Sequence, residues 1–129
     1  MNQKRLSELP LFEGLDDDSL RTISKAAHEI SVGEGAELVR EGDYSYELTI
    51  IDEGQAEVKM DGQVVATLGP GDVFGEVGVV KKDLRNASVT ATTPMRLITL
   101  TGWDLRRLRG RTPELAERLK ALADERAAS

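Results

Sequence analysis

Glu76 and Arg85 stand nine positions apart inside a stretch rich in glycine and small residues, Gly71-Asp72-Val73-Phe74-Gly75-Glu76-Val77-Gly78-Val79-Val80-Lys81-Lys82-Asp83-Leu84-Arg85-Asn86-Ala87-Ser88-Val89. Arg85 offers a permanently charged planar fork that fits the free oxygens of a phosphate. Gly75 and Gly78 carry no β-carbon, so the backbone there can approach a ligand closely. The short apolar run after Glu76 suits one or two turns of helix over 76–80, whose unpaired N–H groups would face an anion. Glu76 asks for something else. Ionised, it only accepts hydrogen bonds, so beside a phosphate it needs neutral donors such as sugar hydroxyls.

A ligand with one singly charged phosphate next to a ribose 2′-hydroxyl satisfies both residues, and a cyclic nucleotide is such a ligand. Phe74-Gly75-Glu76, the nine-residue step to Arg85, and Arg85-Asn86-Ala87-Ser88-Val89 closely resemble the phosphate-binding cassette of cyclic nucleotide-binding domains. That family includes the cyclic-AMP receptor protein, the regulatory subunits of cyclic-AMP-dependent kinase and the cyclic-nucleotide-gated channels. The resemblance implies that Glu76 holds the ribose 2′-hydroxyl and that Arg85 pairs with the cyclic phosphate. The N–H groups of Gly75, Glu76 and Ala87 complete the cradle, with Phe74, Val77 and Asn86 beside them. It further implies a regulatory sensor, cyclic AMP favoured over cyclic GMP, with no catalytic residue, no metal and no cofactor besides the ligand. Two positions depart from the pattern. Leu84 stands where the family often has proline, and Asn86 is neither the Ala common in cyclic-AMP-selective kinase sites nor the Thr of cyclic-GMP sites.

Other chemistries find less support. His28 is the single histidine, so a cupin-like metal site lacks its ligands, and no Cys or Ser/His/Asp arrangement supplies a nucleophile. No Gly-Lys-Ser/Thr follows the glycines, which removes the Walker pattern. Gly75-Glu76-Val77-Gly78 fits the bare GXXG of an RNA-binding KH loop, but Glu76 within it would repel a phosphate backbone. The remaining rival is a degenerate roll of the same family that serves as a protein-interaction module without nucleotide. The presence of both Glu76 and Arg85 counts against it, because burying two such charges needs a partner.

Composition bounds the setting. A chain of 129 residues is expected to be a single domain, 1–129, able to bury a core without disulfide or metal. A formal net charge of -6 disfavours direct nucleic-acid binding by the domain as a whole. Arg106, Arg107, Arg109 and Arg111 form a local basic cluster, read as a solvated helix end. The absence of cysteine agrees with a reducing compartment. With no signal peptide and no membrane span in the sequence, the expected location is cytoplasmic.

The elements that must position the cassette can be read in order. Residues 1–28 form an N-terminal helical segment, in which Asp16-Asp17-Asp18-Ser19 supplies a cap and an acidic first turn to a helix ending near His28. Adjacent aspartates point in different directions on a helix, so they read as capping residues and not as a metal site. His28 reads as a cation at that helix's C-terminus. Residues 29–100 hold short strands at even spacing broken by glycine turns, with the cassette at 71–89, which suggests a β-roll or jelly roll. Within it, Gln55 to Met60 alternates polar and apolar, and Asp61-Gly62 marks a two-residue hairpin. Residues 101–129 carry two helices, one opening at Thr101-Gly102-Trp103-Asp104 and one at Thr112-Pro113-Glu114. The fold class is mainly β with flanking helices: an N-terminal helix, a short cassette helix and two C-terminal helices. In the family the last helix is a lid over the base. Arg118, Leu119, Leu122 and Arg126 are then candidates to cap it, with the lid's movement passing the signal to an effector protein or a fused domain. No helix-turn-helix pattern follows the roll, and the oligomeric state is left open.

Overall fold

The computed structural model describes residues 2–40, 47–74 and 87–128, with side chains at all of these except 109 and 122–128. The chain begins with α1 (Gln3–Ser7), capped by the Asn2 side-chain oxygen, which accepts from the Lys4 N–H at 2.8 Å. A 3-10 turn, Pro10–Phe12, follows, and then α2 (Asp17–Ala26). Asp16 caps α2 as its sequence suggests, accepting from the Ser19 N–H at 2.8 Å, while Asp17 and Asp18 place negative charge in the first turn. Leu20 and Ile23 are its buried face.

The strands are β1 (His28–Val32), β2 (Glu37–Val39), β3 (Glu47–Glu53), β4 (Ala56–Met60), β5 (Gln63–Leu68), β6 (Val73–Phe74), β7 (Ser88–Ala91) and β8 (Met95–Thr101). They make two antiparallel sheets, ordered β1-β8-β3-β6 and β2-β7-β4-β5. The expected β-roll is therefore present, flanked by helices. His28 corrects one expectation. It does not end a helix but opens β1 opposite Thr99, because Ala27 has already turned to extended backbone.

Period-2 geometry sorts the first sheet into two cores. Leu48, Ile50, Val73, Ile98 and Leu100 join Leu6, Phe12, Leu20, Ile23, Leu105, Leu108, Leu115 and Leu119 in a cluster against the helices. Their neighbours Ile51, Phe74 and Leu97 join Val39, Ala56, Val89, Ala91 and Met95 between the sheets. β3 and β8 thus read as nearly continuous buried runs because both faces are covered. β4 departs from the expected alternation. After buried Ala56 its next three residues are all half-buried, and its partner β5 lies at the sheet edge with Val64 and Val65 exposed.

Two turns fix these registers. Asp61 (φ 52°) and Gly62 (φ 80°) both take positive φ between paired Met60 and Gln63, the tight hairpin their sequence announces. Gly54 has φ 98°, and a β-carbon there would lie 2.5 Å from the Pro94 carbonyl oxygen.

The roll ends at Thr101, which caps α3 (Gly102–Arg111); α4 (Pro113–Ala128) follows after Thr112. An ion network ties α1 to the first sheet. Arg5 bridges Glu29 at 3.3 Å and also pairs with Asp52, while Arg96 reaches Glu29 at 3.2 Å and Glu53 at 3.6 Å.

Candidate functional site

The cassette leaves one sheet and enters the other. At its start Gly71 donates its N–H to the Ile51 carbonyl at 2.7 Å, and Ile51 donates to the Asp72 carbonyl at 2.9 Å. The Asp72 carboxylate accepts from the Gly69 N–H at 2.7 Å, closing the turn locally. Gly71 has φ 89°, and a β-carbon there would come within 3.3 Å of the Pro10 ring, so this turn packs directly on the N-terminal 3-10 segment. β6 then pairs Val73 and Phe74 with Ile50 and Thr49. Phe74, expected beside the ligand, is buried among Ile51, Val89 and Leu97 between the sheets. The far end begins at half-buried Ala87, after which β7 sets Val89 between Val39 and Val58. Both ends of the cassette are therefore anchored in the inter-sheet core, through Phe74 and Val89. Gly75, Glu76, Val77, Arg85 and Asn86, with the short helix expected over 76–80, lie outside the described residues.

The two described candidates of the lid are held elsewhere. Arg118 donates to the Leu11 carbonyl at 2.8 Å and to the Glu114 carboxylate at 2.6 Å. Leu119, with 1% of its surface exposed, packs in the helix-facing cluster with Leu115. The first half of α4 is thereby fastened to the N-terminal segment. The side chains of Leu122 and Arg126 lie outside the described residues. The acceptor on Leu11 was not legible in the sequence, since a backbone carbonyl 107 positions from its donor leaves no side-chain signal.

α3 sets the start of that helix pair. The Thr101 hydroxyl accepts from the Asp104 N–H at 3.1 Å and donates to the Asp104 carboxylate at 3.0 Å, and Arg107 meets the same carboxylate at 2.6 Å. The hydrogen bond from Arg107 holds the Asp104 carboxyl below its ordinary range, with Thr101 and the nearby His28 adding to the effect and burial opposing it. Of the basic cluster, Arg106 lies 5.6 Å from the centroid of the exposed Trp103 ring and Arg107 is paired with Asp104. Among the described residues there is no group of three or more His, Cys, Asp or Glu placed to hold a metal ion. No described helix is long and apolar enough to cross a membrane.

A family model described as the cyclic nucleotide-binding domain matches residues 29–112, from β1 through α3 and across the whole cassette. The chain belongs to the cyclic nucleotide-binding domain family. This cyclic nucleotide-binding regulatory domain is 34% identical over 111 residues to the cyclic-AMP-dependent protein kinase regulatory subunit of Schizosaccharomyces pombe, covering 85% of this chain and 27% of that protein. It is 33% identical over 125 residues to a cyclic nucleotide-gated potassium channel of Rhizobium etli, covering 97% of this chain and 35% of the channel. The chain thus spans about a third or less of the length of these relatives. Among solved structures, a Geobacter metallireducens protein named for cyclic nucleotide binding superimposes with a TM-score of 0.84 at 25% identity, covering 97% of this chain and 94% of that one. The two-sheet roll with flanking helices is the architecture shared with that structure.

Proposed function

We propose that this domain is a regulatory sensor that binds a cyclic nucleotide, cyclic AMP ahead of cyclic GMP, without catalysis of its own, and that occupancy signals through movement of α4. The observation that carries the reading is the family match over 29–112, which takes in Glu76 and Arg85 at the cassette spacing. Arg85 pairs with the cyclic phosphate through charge-assisted hydrogen bonds, Glu76 accepts from the ribose 2′-hydroxyl, and the N–H groups of Gly75, Glu76 and Ala87 complete the cradle. Val77 and Asn86 line the same loop, and Phe74 anchors its start in the inter-sheet core. The cyclic-AMP-dependent kinase among the relatives supports cyclic AMP as the favoured ligand. The fold supports one domain over 1–129, since N-terminal, sheet and C-terminal residues share a single cluster. The lack of cysteine fits a cytoplasmic setting, and the output passes to an effector protein or a fused domain.

The described contacts of α4 say what its movement involves. Shifting the whole helix breaks the Arg118 bond to Leu11, a charged hydrogen bond of about 1.5–3 kcal/mol, and exposes Leu119, a further ~1.5–3 kcal/mol. A ligand moves a helix only by its differential affinity for the two positions. Closing by the distal half, which carries Leu122 and Arg126, leaves the Arg118 and Leu119 contacts intact, and we therefore assign capping of the base to that half first.

Thermal melting with cyclic AMP, cyclic GMP and linear AMP tests the ligand class. Cyclic AMP at a hundredfold excess over its dissociation constant should stabilise the fold by about 2.7 kcal/mol, a rise on the order of 10 °C. Equal shifts with linear AMP would exclude the cyclic phosphate as the feature recognised. No shift with any of the three would favour a roll that serves protein contact alone.

A further inference from the structure

Away from the cassette, α2 and α3 pack together and leave between them a cleft of about 570 Å³, where Lys25, His28, Arg107 and Arg111 stand over Ala26 and Leu108. A neighbouring lobe of about 480 Å³ shares Lys25 and Arg111 and adds Asp16, Asp18, Arg21 and Thr112. We propose that this cleft is a second ligand site, taking a small multivalent oxyanion, a phosphate or carboxylate group carried on a small molecule.

The charges in the cleft are unevenly satisfied. Its acids are already engaged: Asp104 by Arg107 at 2.6 Å and Thr101 at 3.0 Å, Asp18 by Arg21 at 3.3 Å, and Asp16 by the Ser19 N–H at 2.8 Å. Lys25 and Arg111 line both lobes and make no ion pair or hydrogen bond among the described residues. Together the two lobes are lined by Arg21, Lys25, Arg107 and Arg111 against Asp16, Asp18 and Asp104, a small positive excess on a chain of net charge -6, and a cleft concentrates such a field. Thr112, at the wall of the second lobe, is 3% exposed, and its hydroxyl has no hydrogen-bond partner among the described residues. Buried hydroxyls are ordinarily satisfied; this one lies beneath the wall of the lobe, next in sequence to Arg111, and becomes a donor to an occupant once that wall shifts to admit it. Half-buried Ala26 gives the cleft an apolar contact for a carbon skeleton, and the volume falls within the ~300–1,000 Å³ of small-molecule sites. None of these residues belongs to the cassette, so the proposal stands apart from the cyclic-nucleotide reading.

A residue-resolved NMR titration of the full chain tests it, using pyrophosphate and, separately, citrate at constant ionic strength with cyclic AMP in excess. Saturable shifts are expected at the amides of Lys25, His28, Arg111 and Thr112 with at least one probe. The midpoint should move at least tenfold in the Lys25→Gln/Arg111→Gln variant, whose two substituted side chains are exposed, so that unchanged β3 and β8 resonances verify its fold. The two probes distinguish phosphate from carboxylate as the group recognised. Linear drift without saturation overturns the proposal, as does saturable binding that the double variant leaves unaltered. Saturable shifts confined to Ala87, Ser88 and Val89 would report the cassette's own phosphate site and would also overturn the cleft.

Discussion

A carboxylate next to a phosphate is tolerable only while neutral donors occupy it, and the role assigned to Glu76 therefore makes a demand on the sugar of the ligand. Glu76→Gln keeps the shape of the side chain and removes its charge. Competition binding should show a modest loss of cyclic-AMP affinity together with a reduced preference over the 2′-deoxy analogue. A preference equal to that of the unmodified protein would contradict the ribose contact. The charge type and spacing of this residue pair are written in the sequence. Side-chain direction is not. Phe74 reads as a ligand neighbour in the linear motif, yet the pairing of β6 with Thr49 and Ile50 turns it into the inter-sheet core beside Val89.

At the level of elements, local signals carried furthest. The caps at Asp16 and Thr101, the proline opening α4 and the Asp61-Gly62 turn all depend on neighbours a few residues away, and each appears where its sequence places it. His28 failed as a helix end because the end of α2 is set by the pairing of β1 with β8, a contact to residues near Thr99. Two predictions belong here. The Asp104 carboxyl titrates below its unfolded value, so the capped, Arg107-paired form stabilises α3 above about pH 4 and loses that contribution as the pH falls further. Asp104→Asn should flatten the acid-side decline in stability, read from urea midpoints at successive pH values; an unchanged slope would remove Asp104 from the acid response. Gly54→Ala forces a β-carbon against the Pro94 carbonyl at positive φ. Strain of that kind costs on the order of 1–3 kcal/mol or more, and a fall in the urea midpoint without a change in slope would register it. A midpoint equal to that of the unmodified protein would mean the Gly54–Pro94 approach is not required.

Across the whole molecule, the N-terminal 3-10 turn touches both ends of the proposed signalling path. Pro10 packs on Gly71 at the mouth of the cassette, and the Leu11 carbonyl holds Arg118 of α4. By sequence Pro10, Leu11 and Phe12 belong to a stretch too broken for a long helix and apolar enough to pack as a short turn, and they do so; their partners at positions 71 and 118 lie too far along the chain to be read locally. The two-sheet roll itself was legible from the even spacing of strands and glycine turns, whereas the order in which strands join the sheets depends on long-range pairing. The proposed function rests on Arg85 meeting a cyclic phosphate. Isothermal titration calorimetry of cyclic AMP against the unmodified chain and Arg85→Ala measures that contact directly. One saturable site should be seen, weakened in the variant by on the order of 2–5 kcal/mol, at least roughly 30-fold; equal affinity in the two proteins would contradict the account.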